Sequence, residues 1–339
     1  MPVGERPALA RGDLVHGRYR VGRRVGIGGM GEVYRAEDLS DGRPVALKVV
    51  QPALLGSAKT RRRFDREVEM TGRVDHPNVV RLLDFFELAA RRPGETARPC
   101  LVMEFLDGET LADRLSEAGQ LAPSEIEAIL RQVAAGLDAA HAAGIVHRDL
   151  KPDNIFLVRD AADALRVVVT DFGVARGTGL GFGDNSDDSG VQSQTATGVL
   201  LGTPDYMAPE QLELETALPQ SDLYALGLIA FEALAGRPPF LDGAPLEVLF
   251  RRVEEPAPPL SDFVERCPPP LERVVARCLE LEPEARYERA RDLVADLDGE
   301  GESRWSIPRL RIDTGHWVAL GVVLGLLAGI AGLVVLSVG

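Results

Sequence analysis

Between residues 19 and 50 apolar and polar residues alternate, and glycines interrupt the alternation, a pattern that predicts short antiparallel strands joined by turns. The period then changes. Residues 58–73, "AKTRRRFDREVEMTGR", predict a helix, and the apolar runs "VVRLLDFFEL" and "CLVMEFL" return to strand character on either side of the polar loop "AARRPGETARP". Beyond residue 108 the chain becomes mainly helical, with "PSEIEAILRQVAAGLDAAHAAG" its clearest amphipathic stretch. Residues 171 to about 202, rich in Gly, Ser, Asp and Thr, predict a long loop. Helical patterns resume in "SDLYALGLIAFEALAG" and "LERVVARCLEL", punctuated by "EEPAPPLSDF" and "CPPP". No internal repeat is present. The pattern predicts a small strand-rich lobe, a larger helical lobe and a cleft between them.

The C-terminal end follows another rule. Trp317 to Val338 is a run of 22 residues without charge or proline. At ~1.5 Å per residue such a helix is about 33 Å long, enough to span a bilayer core. We expect one transmembrane helix over 316–338, preceded by a polar linker over 298–315. Arg304, Arg309 and Arg311 lie close before it and mark that side as cytoplasmic.

Composition narrows the function classes. A net charge of −14, without a basic stripe, gives no reason to expect a nucleic-acid partner. Cys100, Cys267 and Cys278 form no C-x-x-C pair, which fits a reducing compartment without a disulfide framework or zinc site. The first residues lack the apolar core of a secretory signal. Of 38 basic residues only Lys48, Lys59 and Lys151 are lysines; the rest are arginines. Where such a chain keeps an ammonium, chemistry is the first explanation to try.

Three stretches carry that chemistry. "VGIGGMGEV" places Gly26, Gly28 and Gly31 between two strands, where a glycine turn lets backbone N–H groups approach phosphate oxygens. Lys48 follows in the apolar strand "VALK", and Glu67 in the next helix is a suitable partner. "HRDLKPDN" supplies a carboxylate, Asp149, an ammonium, Lys151, and an amide, Asn154, and "TDFG" adds Asp171 after the apolar "LRVVV". Asp149 can accept a proton from a hydroxyl nucleophile. Asn154 and Asp171 are hard oxygen ligands suited to Mg²⁺, with Mn²⁺ as an alternative. His147, His141 and His76 read as packing or helix-end residues.

Taken in this order, the motifs resemble those of the bacterial eukaryotic-type (Hanks-type) membrane-anchored serine/threonine protein kinases, over about residues 19–297. The resemblance implies an α+β bilobal protein-kinase fold. An antiparallel N-lobe sheet with one helix (19–104) would be joined to a mainly helical C-lobe (107–297), after an N-terminal extension (1–18). It implies ATP held by Val25, Gly26, Ile27, Gly28, Gly29, Met30, Gly31, Glu32 and Val33, by Ala46 and Lys48, and by Met103, Glu104 and Leu106 of the gatekeeper and hinge. Lys48 would pair with Glu67, Asp149 would be the base, Asn154 and Asp171 would hold the metal, and Thr203 would bridge Lys151 and Asp149. Lys151 would neutralise the moving γ-phosphate, a task for a compact ammonium more than for a planar guanidinium fork. Glu210 of "APE" would pair with Arg286, and Asp222 would anchor the catalytic loop. Leu47 stands where the family usually has isoleucine, and the segment from Asp171 to Glu210 is longer than usual.

The expected function is therefore transfer of the ATP γ-phosphoryl group to Ser/Thr hydroxyls of protein substrates, at the inner cell membrane with the kinase domain in the cytoplasm. Arg148 beside the base suggests a loop ordered by phosphate, with Thr195 and Thr197 as acceptors. Gly321, Gly325 and Gly329 form one helix face on which two copies could pack and phosphorylate one another. A catalytically dead scaffold would have lost Lys48, Asp149 or Asp171. A small-molecule phosphotransferase would not need the Thr203 loop and "APE".

Overall fold

Alternation in the strand around Lys48 explains the two-sidedness of the N-lobe. In the computed structural model, which describes residues 7–55, 57–90, 96–159, 162–172, 204–213, 217–241 and 243–300, Val45, Leu47 and Val49 are buried on one face. Ala46 and Lys48 point to the other face, as the strand period of two demands. The strands are β1 (Leu14–Val15), β2 (Tyr19–Gly28), β3 (Gly31–Asp38), β4 (Pro44–Val50), β5 (Leu82–Leu88) and β6 (Arg98–Glu104). They form one antiparallel sheet in the order β1-β2-β3-β4-β6-β5. The sheet thus takes in residues upstream of position 19, because β1 pairs Leu14 with Arg20 and Val15 with Tyr19.

Helix α1 (Ala58–Thr71) covers the cleft-side face of the sheet. Its N-cap is Ser57, whose hydroxyl accepts from the Thr60 N–H at 3.0 Å. Phe64 and Val68, four apart and so on one stripe, are buried against Val50 and Leu101. Burial of side chains of this size contributes about 1.5–3 kcal/mol each. Glu67 lies beside that stripe, so the same packing that holds the helix sets its carboxylate.

The C-lobe has helices α2 (Leu111–Ala118), α3 (Pro123–Ala142), α4 (Pro209–Glu213), α5 (Pro219–Ala235), α6 (Pro245–Glu254), α7 (Pro269–Cys278) and α8 (Ala290–Leu297). A small sheet, β7 (Gly108–Thr110), β8 (Ile155–Arg159) and β9 (Leu165–Val169), lies at its cleft edge. In α3 the buried residues recur at helical spacing, from Ile126 through Ile129, Val133 and Leu137 to Ala140. Helix α5 is buried nearly all round, as a central helix must be. These strands and helices place the catalytic loop against α5 and the end of β9 against Val79 and Val80.

Residues 1–302 and 303–339 form two units, and all described residues lie in the first. Thr195, Thr197, Thr203 and the stretch Trp317–Val338 lie outside the described residues. Among the described residues no helix is long and apolar enough to cross a membrane.

Candidate active site

The glycine stretch folds as a tight hairpin. Gly26 pairs with Val33, Ile27 with Glu32 and Gly28 with Gly31, leaving Gly29 and Met30 as the turn. Its glycines serve different purposes. Gly31 has φ +148°, and a Cβ there would lie 2.0 Å from the Val49 carbonyl oxygen, so only glycine lets β3 approach β4. Around Gly28 and Gly29 no atom lies within 4 Å of where a Cβ would be. That open space exposes the backbone of the turn, which is what an approaching phosphate requires. Val25 and Ile27 are exposed. Glu32 accepts hydrogen bonds from Arg24, Tyr34 and the Ala8 N–H.

Lys48 sits between Val33 and Leu101 in the sheet register. Its Nζ lies 2.6 Å from Asp171 Oδ1. The expected pairing with Glu67 is therefore not the arrangement found. Glu67 instead meets Arg148 at 3.4 Å and Arg63 at 3.6 Å, and its Oε2 is buried without a hydrogen-bond partner. Lys48 takes the carboxylate at the end of β9 instead. Burial pushes the Glu67 carboxyl above its ordinary range, against the pull of Arg148 and Arg63. At Asp171 burial again opposes charge, but Lys48, by charge and by its hydrogen bond, outweighs it and holds the carboxyl below its usual range. Asp171 has φ +60°, a left-handed conformation that Asp tolerates better than most residues.

The catalytic loop is fixed from below by one carboxylate. Asp222, buried near the start of α5, accepts from the His147 N–H at 2.8 Å, the Arg148 N–H at 2.9 Å and His141 Nε2 at 2.7 Å. Arg148 can then hold its φ of +65°. His147 donates from Nε2 to the Thr170 carbonyl at 2.9 Å and accepts the Asp149 N–H at Nδ1, 3.3 Å away. These partners select the neutral Nε2–H tautomer, and the ring ties the loop to the strand leading to Asp171. Lys151 Nζ lies 3.1 Å from Asp149 Oδ2, and Asn154 donates from Nδ2 to the Asp149 carbonyl at 2.8 Å. The Asn154 amide oxygen is left as an oxygen donor.

The hinge is braced from both lobes. Met103 pairs with Ala46 across β4 and β6. The Glu104 N–H donates to the Arg81 carbonyl, and Arg166 on β9 donates to both Glu104 carboxylate oxygens at 3.0 and 3.1 Å. Leu106 lies two residues beyond Glu104, the last residue of β6. Between the sheet, α1 and Asp171 lies a cleft of about 580 Å³ open to solvent, lined by Met30, Lys48, Met103, Asp171 and Phe172 with apolar residues of α1 and β5.

Residues 19–296 match the model of the protein kinase domain family. The chain belongs to the protein kinase family. Its curated relatives include serine/threonine-protein kinase Pkn1 of Myxococcus xanthus, 41% identical over 80% of this chain and 36% of that protein. Another is serine/threonine-protein kinase PknL of Mycobacterium tuberculosis, 35% identical over 88% of this chain and 69% of that one. Among solved structures, the kinase domain of Mycobacterium tuberculosis PknI superposes with a TM-score of 0.64 at 30% identity, covering 87% of this chain and 100% of that one. The chain spans 41% of a probable serine/threonine-protein kinase of Corynebacterium efficiens and 36% of Pkn1, less than half of either protein.

Two further features of the kinase domain were expected and are present. Arg286 donates to both oxygens of Glu210, at 2.8 and 2.9 Å, and to the carbonyls of Gln220, Glu280 and Leu281. Asp222 anchors the catalytic loop as described. Other contacts escape sequence reading: Arg148 on Glu67, Arg166 on the hinge, and Tyr206, which donates to Glu232 at 2.5 Å. Of these only Arg148 carried a signal, through its place beside the catalytic aspartate.

Proposed function

We propose that the chain is a membrane-anchored serine/threonine protein kinase that phosphorylates protein substrates and its own activation loop. The observation that carries this reading is Lys151 Nζ at 3.1 Å from Asp149 Oδ2, on a loop that Asp222 and Asn154 hold rigid. Asp149 is placed to accept the proton of a Ser or Thr hydroxyl, and Lys151 to meet the charge of the phosphoryl group as it transfers.

The residues fit Mg²⁺ with ATP. Among the described residues no group of three or more His, Cys, Asp or Glu could hold a metal by itself, so an ion here would need phosphate oxygens as further ligands. Asn154 and Asp171 supply two oxygen donors and would hold it, while Lys48 and the open hairpin turn would hold the phosphates. The bound metal–nucleotide would supply the phosphoryl group and neutralise its charge.

The anchor would be the helix over 316–338, with the kinase domain on the cytoplasmic side of the inner membrane. A second copy would phosphorylate Thr195 and Thr197, since a loop folds poorly into its own active site. Incubation of purified protein with labelled ATP and a mixed peptide substrate tests the reading. Phosphate on Ser and Thr is expected, and phosphate mainly on Tyr would overturn the substrate class. Recovery of the protein in the membrane fraction is expected, and recovery in the soluble fraction would overturn the anchor.

A further inference from the structure

The face of the N-lobe sheet turned away from the cleft is covered by residues 8–16, and that cover is bonded to the phosphate-loop hairpin. Leu9 is 2% exposed, packed in a cluster with Tyr19, Tyr34, Leu47 and Val49. Its N–H donates to Tyr34 Oη at 3.1 Å, and the Tyr34 hydroxyl donates in turn to Glu32 Oε2 at 2.6 Å. The Ala8 N–H donates to Glu32 Oε1 at 3.1 Å, and Arg24 Nη1 donates to Oε2 at 2.7 Å. One carboxylate therefore gathers the N-terminal segment, β2 and β3.

Its position gives the arrangement a consequence. Glu32 faces Ile27 across the hairpin, one pair from Gly28–Gly31 and two residues from the turn. β3 is held by β4 as far as the Gly31–Val50 pair, but the β2 side of the tip has little to lean on: Ile27 is 68% exposed, and Gly28 and Gly29 stand in open space. A tip that must be ordered when ATP arrives binds it more weakly than one already in place. We infer that Glu32 and Tyr34 strap the N-terminal segment to the phosphate-loop hairpin, so that residues 8–9 set the hairpin's position and with it the affinity for ATP. Glu32 and Tyr34 are thus positioning residues, acting through the hairpin backbone. Burial disfavours the charge on Glu32, but the bonds from Tyr34, Arg24 and Ala8 outweigh it and keep the carboxyl below its usual range. The strap is therefore closed at neutral pH. This inference rests on the kinase reading for its link to ATP, but not for the strap itself.

The test uses the full chain with Glu32→Ala, Tyr34→Phe and Glu32→Gln. Tyr34→Phe keeps the ring in the core and deletes only the hydroxyl, and Glu32→Gln keeps an acceptor for Ala8. We expect Glu32→Ala and Tyr34→Phe to raise KM for ATP about 3- to 10-fold with kcat within about 2-fold, as loss of uniform binding does. We expect Glu32→Gln to recover most of the affinity lost in Glu32→Ala. Backbone amide exchange at Gly28 and Glu32, measured without nucleotide, should speed up in the first two variants. Wild-type KM and wild-type exchange in both variants, or a fall in melting temperature alone, would overturn the strap. A wild-type chain that bound no ATP would overturn the kinase reading, and the nucleotide-free exchange would still decide the strap.

Discussion

Lys48 Nζ sits 2.6 Å from Asp171 Oδ1, while Glu67, the other carboxylate within the design of this site, is met by Arg148 and Arg63. Of these two acids, Asp171 is the one that Lys48 meets at hydrogen-bond distance in this structure. We expect a second arrangement, with Lys48 on Glu67, in the nucleotide-bound protein. Phosphates and a metal ion would occupy Asp171 and favour the second.

That exchange makes Glu67 matter for turnover and little for the nucleotide-free fold. Burial already disfavours its charge, and its Oε2 has no hydrogen-bond partner. Glu67→Gln should change unfolding free energy by under about 1 kcal/mol, the usual worth of one hydrogen bond, while lowering kcat at least ~10-fold. Urea denaturation beside steady-state kinetics measures both. A large stability loss with unchanged kcat would mean that Glu67 serves the fold through Arg148 and not turnover.

The hairpin glycines should separate fold from function. Gly28→Ala and Gly29→Ala meet open space, so they should leave the melting temperature nearly unchanged and raise KM for ATP. Gly31→Ala would press its Cβ on the Val49 carbonyl and should cost about 2 kcal/mol or more. Equal losses of stability in all three would show that the turn is only a structural hairpin.

Much of this site is contiguous in sequence and so could be read there. Asp149, Lys151 and Asn154 lie within six residues, and the alternation around Lys48 predicts both its strand and its inward face. The pair Glu210–Arg286 was available through family resemblance, although 76 residues separate the two. The Lys48–Asp171 contact was not, because spacing does not say which acid an ammonium meets across the cleft. Nor was β1, whose two residues are too few to show alternation. The Arg166–Glu104 brace and the Ala8–Glu32 bond depend on sheet register and on which face a side chain takes, and single charged residues carry no sign of either.

Arg286 should be the least replaceable residue of the C-lobe outside the chemistry. It is fully buried and serves both Glu210 oxygens and the carbonyls of Gln220, Glu280 and Leu281. Arg286→Met strands the buried Glu210 carboxylate, and removal of one partner of such a pair costs about 3–5 kcal/mol. Arg286→Lys should recover only part of that loss, since a point charge cannot span the fork geometry. Urea midpoints measure both variants, and a loss under about 1 kcal/mol for Arg286→Met would contradict this role.

The most direct test of the proposed chemistry is phosphoryl transfer from labelled ATP by the wild-type chain and by Asp149→Asn. Asparagine keeps the size of the side chain and its place on the loop but cannot take a proton from a hydroxyl. The wild type should label Ser and Thr, and Asp149→Asn should do so ~10²- to 10⁴-fold more slowly with little change in ATP binding. Equal rates from the two proteins would contradict the assignment of Asp149 as the base.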